Sequence, residues 1–576
     1  MCTNILNLAK QIYWKKFLKN LAIQNVMVRR NILSSVHGNI EIPNITLPEF
    51  IFQSFDKYPN ETAVECSLTR KKYTFDEIRI KSKNFNKNLR KKLKLSKGDV
   101  VGIILPNVPD YPICLLGAIQ AGLIVTIINP SYTAEEINHQ LSEVGTKAVI
   151  TLNTMYSTIK AAAQISGRSI PILTVKIEQA ESVSEGAIDL NEFTETEPQI
   201  LDISGENITD TVLLPFSSGT TGLPKGVELT HYNIISNICQ VSCDAVNHLS
   251  ARTDNHINVV PAILPWFHMY GVTSNLLKQL YNFSKIISMP KFTPDKFIKL
   301  LSEYKPNVLN LVPPLISFIS SNPLVTPQLL ERLTVVTSGA APLSKIDEEQ
   351  FIRKIGKHVD VLQGYGLTET CSVVSVATIE SIKTFGRIGS CGLLLPNTSI
   401  KIVSTVDKTE ILEKNEKGEI LIKGPQVMKG YRNRHEKTDE AFTDGWFRSG
   451  DLGYIDANGL LYVTDRLKEL IKVKGFQVAP AELEEVLRAH HDISDAAVIG
   501  IPDTVSGEVP LAFVVAKLNS KVDIKSLHNY MSKKVASYKQ LNGGVIVVDA
   551  LPKTASGKTL RKELKSMYNK KYVNNC

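Results

Sequence analysis

The sequence predicts an α/β protein: a large N-terminal domain with largely parallel sheets, followed by a small mobile α+β C-terminal domain. Two observations carry this. Strand-like runs alternate with helical stretches through residues 60 to 400, as in Val100–Leu105, Ala148–Ile150, Val259–Leu264 and Leu333–Val336, and such alternation builds parallel sheets. After about Tyr462 the texture changes to a short strand, a helix over Ala481–Arg488 and the apolar runs Ala496–Gly500, Leu511–Ala516 and Gly544–Val548. This second unit spans about 110 residues, a size at which independent movement is ordinary.

A chain of 576 residues exceeds one ordinary core. Hydrophobic content of 43% with 21% charged residues belongs to a soluble globular protein. The net charge of +9 is concentrated at the start: Lys10, Lys15, Lys16, Lys19, Arg29 and Arg30 stand in forty residues without an acid. The remainder carries about +3, too little for a nucleic-acid footprint. Eight scattered cysteines, with no C-x-x-C pair, read as thiols of a reducing compartment.

In order along the chain, residues 1–44 form a basic extension. It is similar to a mitochondrial presequence, although its lysines make no clean helical face, and Met27 is a rival start. The expected location is intracellular and soluble, with the mitochondrion indicated by the extension and the peroxisome or cytoplasm as alternatives. The C-terminal Asn574-Asn575-Cys576 is not a Ser-Lys-Leu peroxisomal address. Twenty-four uncharged residues from Tyr111 to Ala134 are long enough to span a bilayer. Pro112, Gly117, Gly122 and Pro130 interrupt them, so they read as a buried helix turning at Gly122 into a buried strand, not as a transmembrane segment.

The densest chemistry lies in Ser217-Ser218-Gly219-Thr220-Thr221-Gly222-Leu223-Pro224-Lys225-Gly226. Hydroxyls, glycines that let the backbone approach closely, and one lysine suit a polyphosphate. The run follows the strand-like Thr211–Phe216 and precedes a helix-like stretch from Thr230, which predicts a strand-loop-helix cradle. It is not a Walker A loop, because the lysine is followed by glycine. Gly557-Lys558-Thr559 fails too, with Pro552 where the first glycine belongs.

This stretch resembles the phosphate loop of the adenylate-forming enzymes: acyl-CoA ligases, firefly-type luciferases and peptide-synthetase adenylation domains. The resemblance runs from about residue 45 to 565 and is nearest to 4-coumarate:CoA ligase-like acyl-CoA ligases. It implies an AMP-binding domain over 45–465, a hinge segment over 466–476 and a C-terminal domain over 477–576. It also implies a set of roles. Ser217, Ser218, Gly219, Thr220, Thr221, Gly222 and Lys225 would hold the ATP phosphates. Within Ile263–Gly271, His268 would line the acyl pocket, with Tyr270 and Ser274 along the same wall. Lys291 would contact CoA. Gly339 and Ala340, in Thr337–Leu343, offer small residues against which a flat adenine or acyl group can lie.

The run Gln363-Gly364-Tyr365-Gly366-Leu367-Thr368-Glu369 fails as a dinucleotide fingerprint, since Glu369 replaces the third glycine. By the resemblance, Gln363, Gly364 and Tyr365 would meet adenine, Thr368 the α-phosphate, and Glu369 a Mg²⁺ ion, a hard cation that takes carboxylate and phosphate oxygens. Asp451 and Arg466 would share the ribose. Lys468, with Lys472, would form the hinge, and Lys474 and Gly475 would face CoA after a rotation of the small domain. Lys558, in Pro552–Lys558, would supply the adenylation lysine. The implied reaction activates a carboxylic acid, either a medium- or long-chain fatty acid or an aromatic 4-coumarate-like acid. It uses ATP to form acyl-AMP and then passes the acyl group to CoA. A luciferase-like monooxygenase and a catalytically inactive nucleotide- or acyl-binding protein are the alternatives. A peptide-synthetase module would need a carrier-domain attachment motif that this sequence lacks.

Overall fold

A computed structural model describes residues 31–573 apart from 179, 199–205, 218–223, 344, 356–358, 387–388, 475, 519 and 555–556. Among the described residues five sheets form. The largest has eight strands, and its parallel centre joins Thr211–Ser217, Ile124–Ile127, Val100–Ile104, Ala148–Leu152 and Ile172–Val175. The strands Val100–Ile104, Ile124–Ile127 and Ala148–Leu152 are buried along their whole length. That is why they read as unbroken apolar runs: helices cover both faces of a parallel sheet. A second sheet places Val308–Leu311, Val335–Ser338 and Val361–Tyr365 in parallel, so residues 339–340 and 366–369 leave neighbouring strands at the same end. Sites in such sheets gather at the carboxyl ends of strands.

Tyr111–Gln120 is a helix and Ile124–Ile127 a strand, joined through Gly122 at φ +72°. Among the described residues no helix is long and apolar enough to cross a membrane.

Two sequence expectations are corrected. The glycine-rich run is not followed directly by a helix, because Lys225–Thr230 is itself a strand, antiparallel to Thr211–Ser217. The helix His231–Ser242 begins only after that strand, where Thr230 and Asn233 form a capping box. The boundary drawn at residue 44 also falls inside the fold, since Ile32–Ser34 pairs antiparallel with Ser399–Lys401. The presequence reading rests on residues 1–30, outside the described residues, as do Asn574–Cys576.

Sheet membership changes across the short 3-10 turn Leu467–Glu469. Leu461–Arg466 pairs with the large-unit strand Trp446–Ile455, whereas Ile471–Val473 pairs with Phe476–Val478 and Gly507–Ala516. Beyond the turn, the hairpin Ile493–Asp503/Gly507–Ala516 and the helix Pro480–Arg488 surround a separate core that includes Leu483, Leu487, Val498 and Val514. The helix start matches the expected Ala481 to one residue.

Candidate active site

One cavity of about 510 Å³ receives Ser217, Lys225, His268, Tyr270, Ser274, Gly339, Ala340, Gly364, Tyr365, Thr368, Glu369, Arg466 and Lys558. These residues come from six separate stretches of sequence. Ser218, Gly219, Thr220, Thr221, Gly222 and Gly475 lie outside the described residues.

At one end of the cavity, strand pairing sets Lys225 opposite Ser217. The buried Glu369 carboxylate accepts hydrogen bonds at Oε1 from Ser217 Oγ (2.7 Å) and Tyr431 O–H (3.0 Å). The Lys225 ammonium sits 4.8 Å from the centre of the Tyr431 ring, a cation–π contact. Burial pulls the Lys225 pKa down, and Lys437 adds to the effect. Glu369 reaches this place because the chain turns sharply after Tyr365. A side chain on Gly366 would meet Ser372 O at 1.7 Å, so the glycine serves close backbone approach.

Asp451 lies one layer behind the cavity wall. Strand pairing sets it opposite Arg466. Its Oδ1 lies 3.0 Å from Arg466 Nε and its Oδ2 accepts the Tyr365 O–H at 2.8 Å. Burial raises the Asp451 pKa, opposed by the Arg466 charge. Tyr365, Asp451 and Arg466 are thus one hydrogen-bonded unit, with Tyr365 and Arg466 facing the cavity.

Elsewhere on the cavity wall, His268 Nδ1 accepts the backbone N–H of Tyr270 at 3.3 Å. Burial, helped by the Lys558 charge, lowers the His268 pKa to about 4. The ring is therefore neutral near pH 7, with its proton on Nε2. The Tyr270 hydroxyl lies 3.0 Å from Thr337 Oγ1, which donates to Asn310 Oδ1 at 2.6 Å. This chain fixes the Tyr270 ring against Gly339, where an added Cβ would lie 3.3 Å from it.

Lys558 enters from the C-terminal unit on a tight loop. Its N–H donates to Thr554 Oγ1 at 3.0 Å and its carbonyl accepts Thr554 N–H at 2.8 Å. Gly557 takes φ +80° and leaves only 3.0 Å between a would-be Cβ and Pro314 of the large unit. Any side chain there would be strained and would push the loop outward. Burial and the neighbouring Arg466 lower the Lys558 pKa to about 8. Arg561, three residues on, pairs with Glu469 of the linking turn (2.7 Å) and Glu484 (2.6 Å).

The other anticipated residues are not gathered. Gln363 is buried with its amide 3.5 Å from Leu343 O, away from the cavity. Lys291 is exposed after the strand Lys285–Ser288, and Lys472 and Lys474 are exposed on the small unit. Lys468 lies in the linking turn outside the cavity lining. Sequence reasoning missed Tyr431, Asn310 and Lys278, all of which line the cavity.

The AMP-binding enzyme family matches residues 51–432, and the AMP-binding enzyme C-terminal domain matches residues 482–558. A probable 4-coumarate–CoA ligase 1 of Dictyostelium discoideum is 36% identical over 92% of this chain and 97% of its own length. 4-Coumarate–CoA ligase 1 of Arabidopsis thaliana is 36% identical over 92% and 94%. The fold superposes on ATP-bound MatB from Rhodopseudomonas palustris with a TM-score of 0.80 at 25% identity, covering 92% of this chain and 100% of that one. This chain therefore belongs to the AMP-binding enzyme family, as an acid–thiol ligase of the ATP-dependent acyl-CoA ligase type.

Proposed function

We propose that this enzyme joins a fatty or 4-coumarate-like carboxylic acid to CoA through an acyl-adenylate, in the cavity between Glu369 and His268. The observation that carries the reading is the entry of Lys558 from the C-terminal unit into the cavity that holds Tyr365, Glu369 and Arg466. The names of the 4-coumarate–CoA ligase relatives support the substrate class.

In the first half-reaction a carboxylate oxygen of the acid bonds to the α-phosphorus of ATP as the bond to the β-phosphate oxygen breaks, releasing pyrophosphate. Ser217 and Lys225 flank the departing phosphates. Arg466, held from behind the wall by Asp451, orients the ribose, and neutral His268 offers its Nε2–H to the acid. Lys558 lies where negative charge accumulates between the two anions, so positioning and charge compensation supply the catalysis. Glu369 fits a magnesium ion: its carboxylate is buried, borders the cavity and is steadied by two hydroxyls. Oxygen donors of this kind, together with Thr368 and the phosphates, suit the cation. When bound it supplies further neutralisation of phosphate charge.

In the second half-reaction the CoA thiolate attacks the acyl carbonyl and AMP leaves. Lys558 occupies the cavity while Lys472 and Lys474 stand outside it, so the C-terminal unit turns about Leu467–Glu469 to exchange them. The deciding experiment is acid-dependent exchange of labelled pyrophosphate into ATP across cinnamic, benzoic, medium-chain and long-chain fatty acids, with and without CoA. Exchange with one class, and a thioester when CoA is added, is the expected result. Folded enzyme that exchanges with no acid would overturn the reading.

A further inference from the structure

Between Asn255 and Ser284 the only Asp, Glu, Lys or Arg is Lys278. It follows the π-helical stretch Tyr270–Leu277 and shares the cavity wall with Tyr270 and Ser274. Eight residues of helix, a rise of at most roughly 12 Å, separate it from Tyr270. Its neighbour Cys243 packs against Val241 and Val246, which line the cavity together with Val376. Among the described residues no carboxylate pairs with its ammonium and no side-chain hydrogen bond reaches it; its titratable neighbour is the Cys243 thiol. Burial pulls the Lys278 pKa down to about 8, which leaves it cationic near neutrality.

Lys278 is half-buried, and stripping the water from an ammonium that has no counter-charge is costly. An apolar acyl tail filling this part of the cavity would expel the water that still solvates it. An acid ending in a second carboxylate would supply the missing partner, in a charge-assisted hydrogen bond. We propose that the acid activated here carries a second carboxylate, remote from the reacting one and held by Lys278, with its apolar middle against the valines. This rests on the ligase reading and names the substrate class within it.

The test compares monocarboxylic acids with α,ω-dicarboxylic acids of equal length, using thioester formation by the wild type and by Lys278→Met. The wild type should favour the diacid at least tenfold in kcat/KM at the matching length, chiefly through KM, and Lys278→Met should reverse the preference. A wild type that prefers the monoacid, or a preference the substitution leaves unchanged, overturns the proposal. Calorimetric binding of the same acids in the presence of AMP separates the two readings. If neither enzyme makes a thioester, the ligase reading falls, while diacid affinity that drops at least tenfold in Lys278→Met still supports the pairing and equal affinity refutes it. Lys278→Met should also melt higher than the wild type, which excludes misfolding as the cause.

Discussion

The two ends of the cavity treat charge in opposite ways. At the nucleotide end, Glu369 is held by Ser217 and Tyr431, and Asp451 by Tyr365 and Arg466. These groups are mutually bonded without a ligand, and on the proposed function the orientation they would lend ATP is prepaid. At the His268 end, Tyr270 is held through Thr337 and Asn310, but among the described residues the Lys278 ammonium has no such mate. A ligand that every relative must bind can be met by closed pairs; a ligand that distinguishes one enzyme from another is met by an open one. Specificity gained through an unpaired polar group is steep, because the wrong ligand leaves that group stranded.

The comparison can be broken first at Asp451. Asp451→Ala removes the shared partner of the Arg466 guanidinium and the Tyr365 hydroxyl. Removing one partner of a buried pair costs roughly 3–5 kcal/mol, so denaturant unfolding should show a large loss and ATP-dependent exchange should fall with it. Unchanged stability would mean that the unit is not prepaid. Lys558→Ala comes next: adenylation should drop about 10²- to 10³-fold, while thioester formation from a supplied acyl-adenylate is retained. Equal loss of both halves would deny the division of labour between Lys558 and the rest of the small unit. The smallest effect sharpens the comparison by titrating a buried base far from the ligand. His231 accepts the Leu47 N–H at 2.9 Å, and burial lowers its pKa to about 4. The unfolded chain binds the extra proton below about pH 6.5, so stability present above that value is lost as pH falls toward 4. At pH 5 the loss is about 2 kcal/mol, and melting curves of His231→Asn should show a shallower acid dependence.

Much of this was legible from sequence because the nucleotide end is made of short contiguous motifs. Tyr365 and Glu369 are four residues apart, and Asp451 and Arg466 belong to one antiparallel pair. The topology of the phosphate loop was not, since Lys-Gly-Val-Glu-Leu-Thr reads equally as the approach to a helix, and only its pairing with Thr211–Ser217 makes it a strand. Tyr431 was hidden by the 62 residues that separate it from Glu369. Lys278 carried a signal, a solitary charge in a long apolar stretch, but whether it faces the cavity depends on the π-helical register that precedes it. The exposed Lys291, Lys472 and Lys474 show the converse: the motifs that single them out carry no information on whether their side chains face the cavity.

Arg561 gives that turn of the small unit a mechanical character. By gripping both Glu469 in the linking turn and Glu484 on the adjacent helix, it welds the base of the Lys558 loop to the pivot. On the proposed rotation the lysine would move as the tip of a stiff crank and would not trail on a slack tether. A few degrees at Leu467–Glu469 would withdraw it by a fixed arc, so the timing of its departure would be set at the joint and not by wandering of the loop.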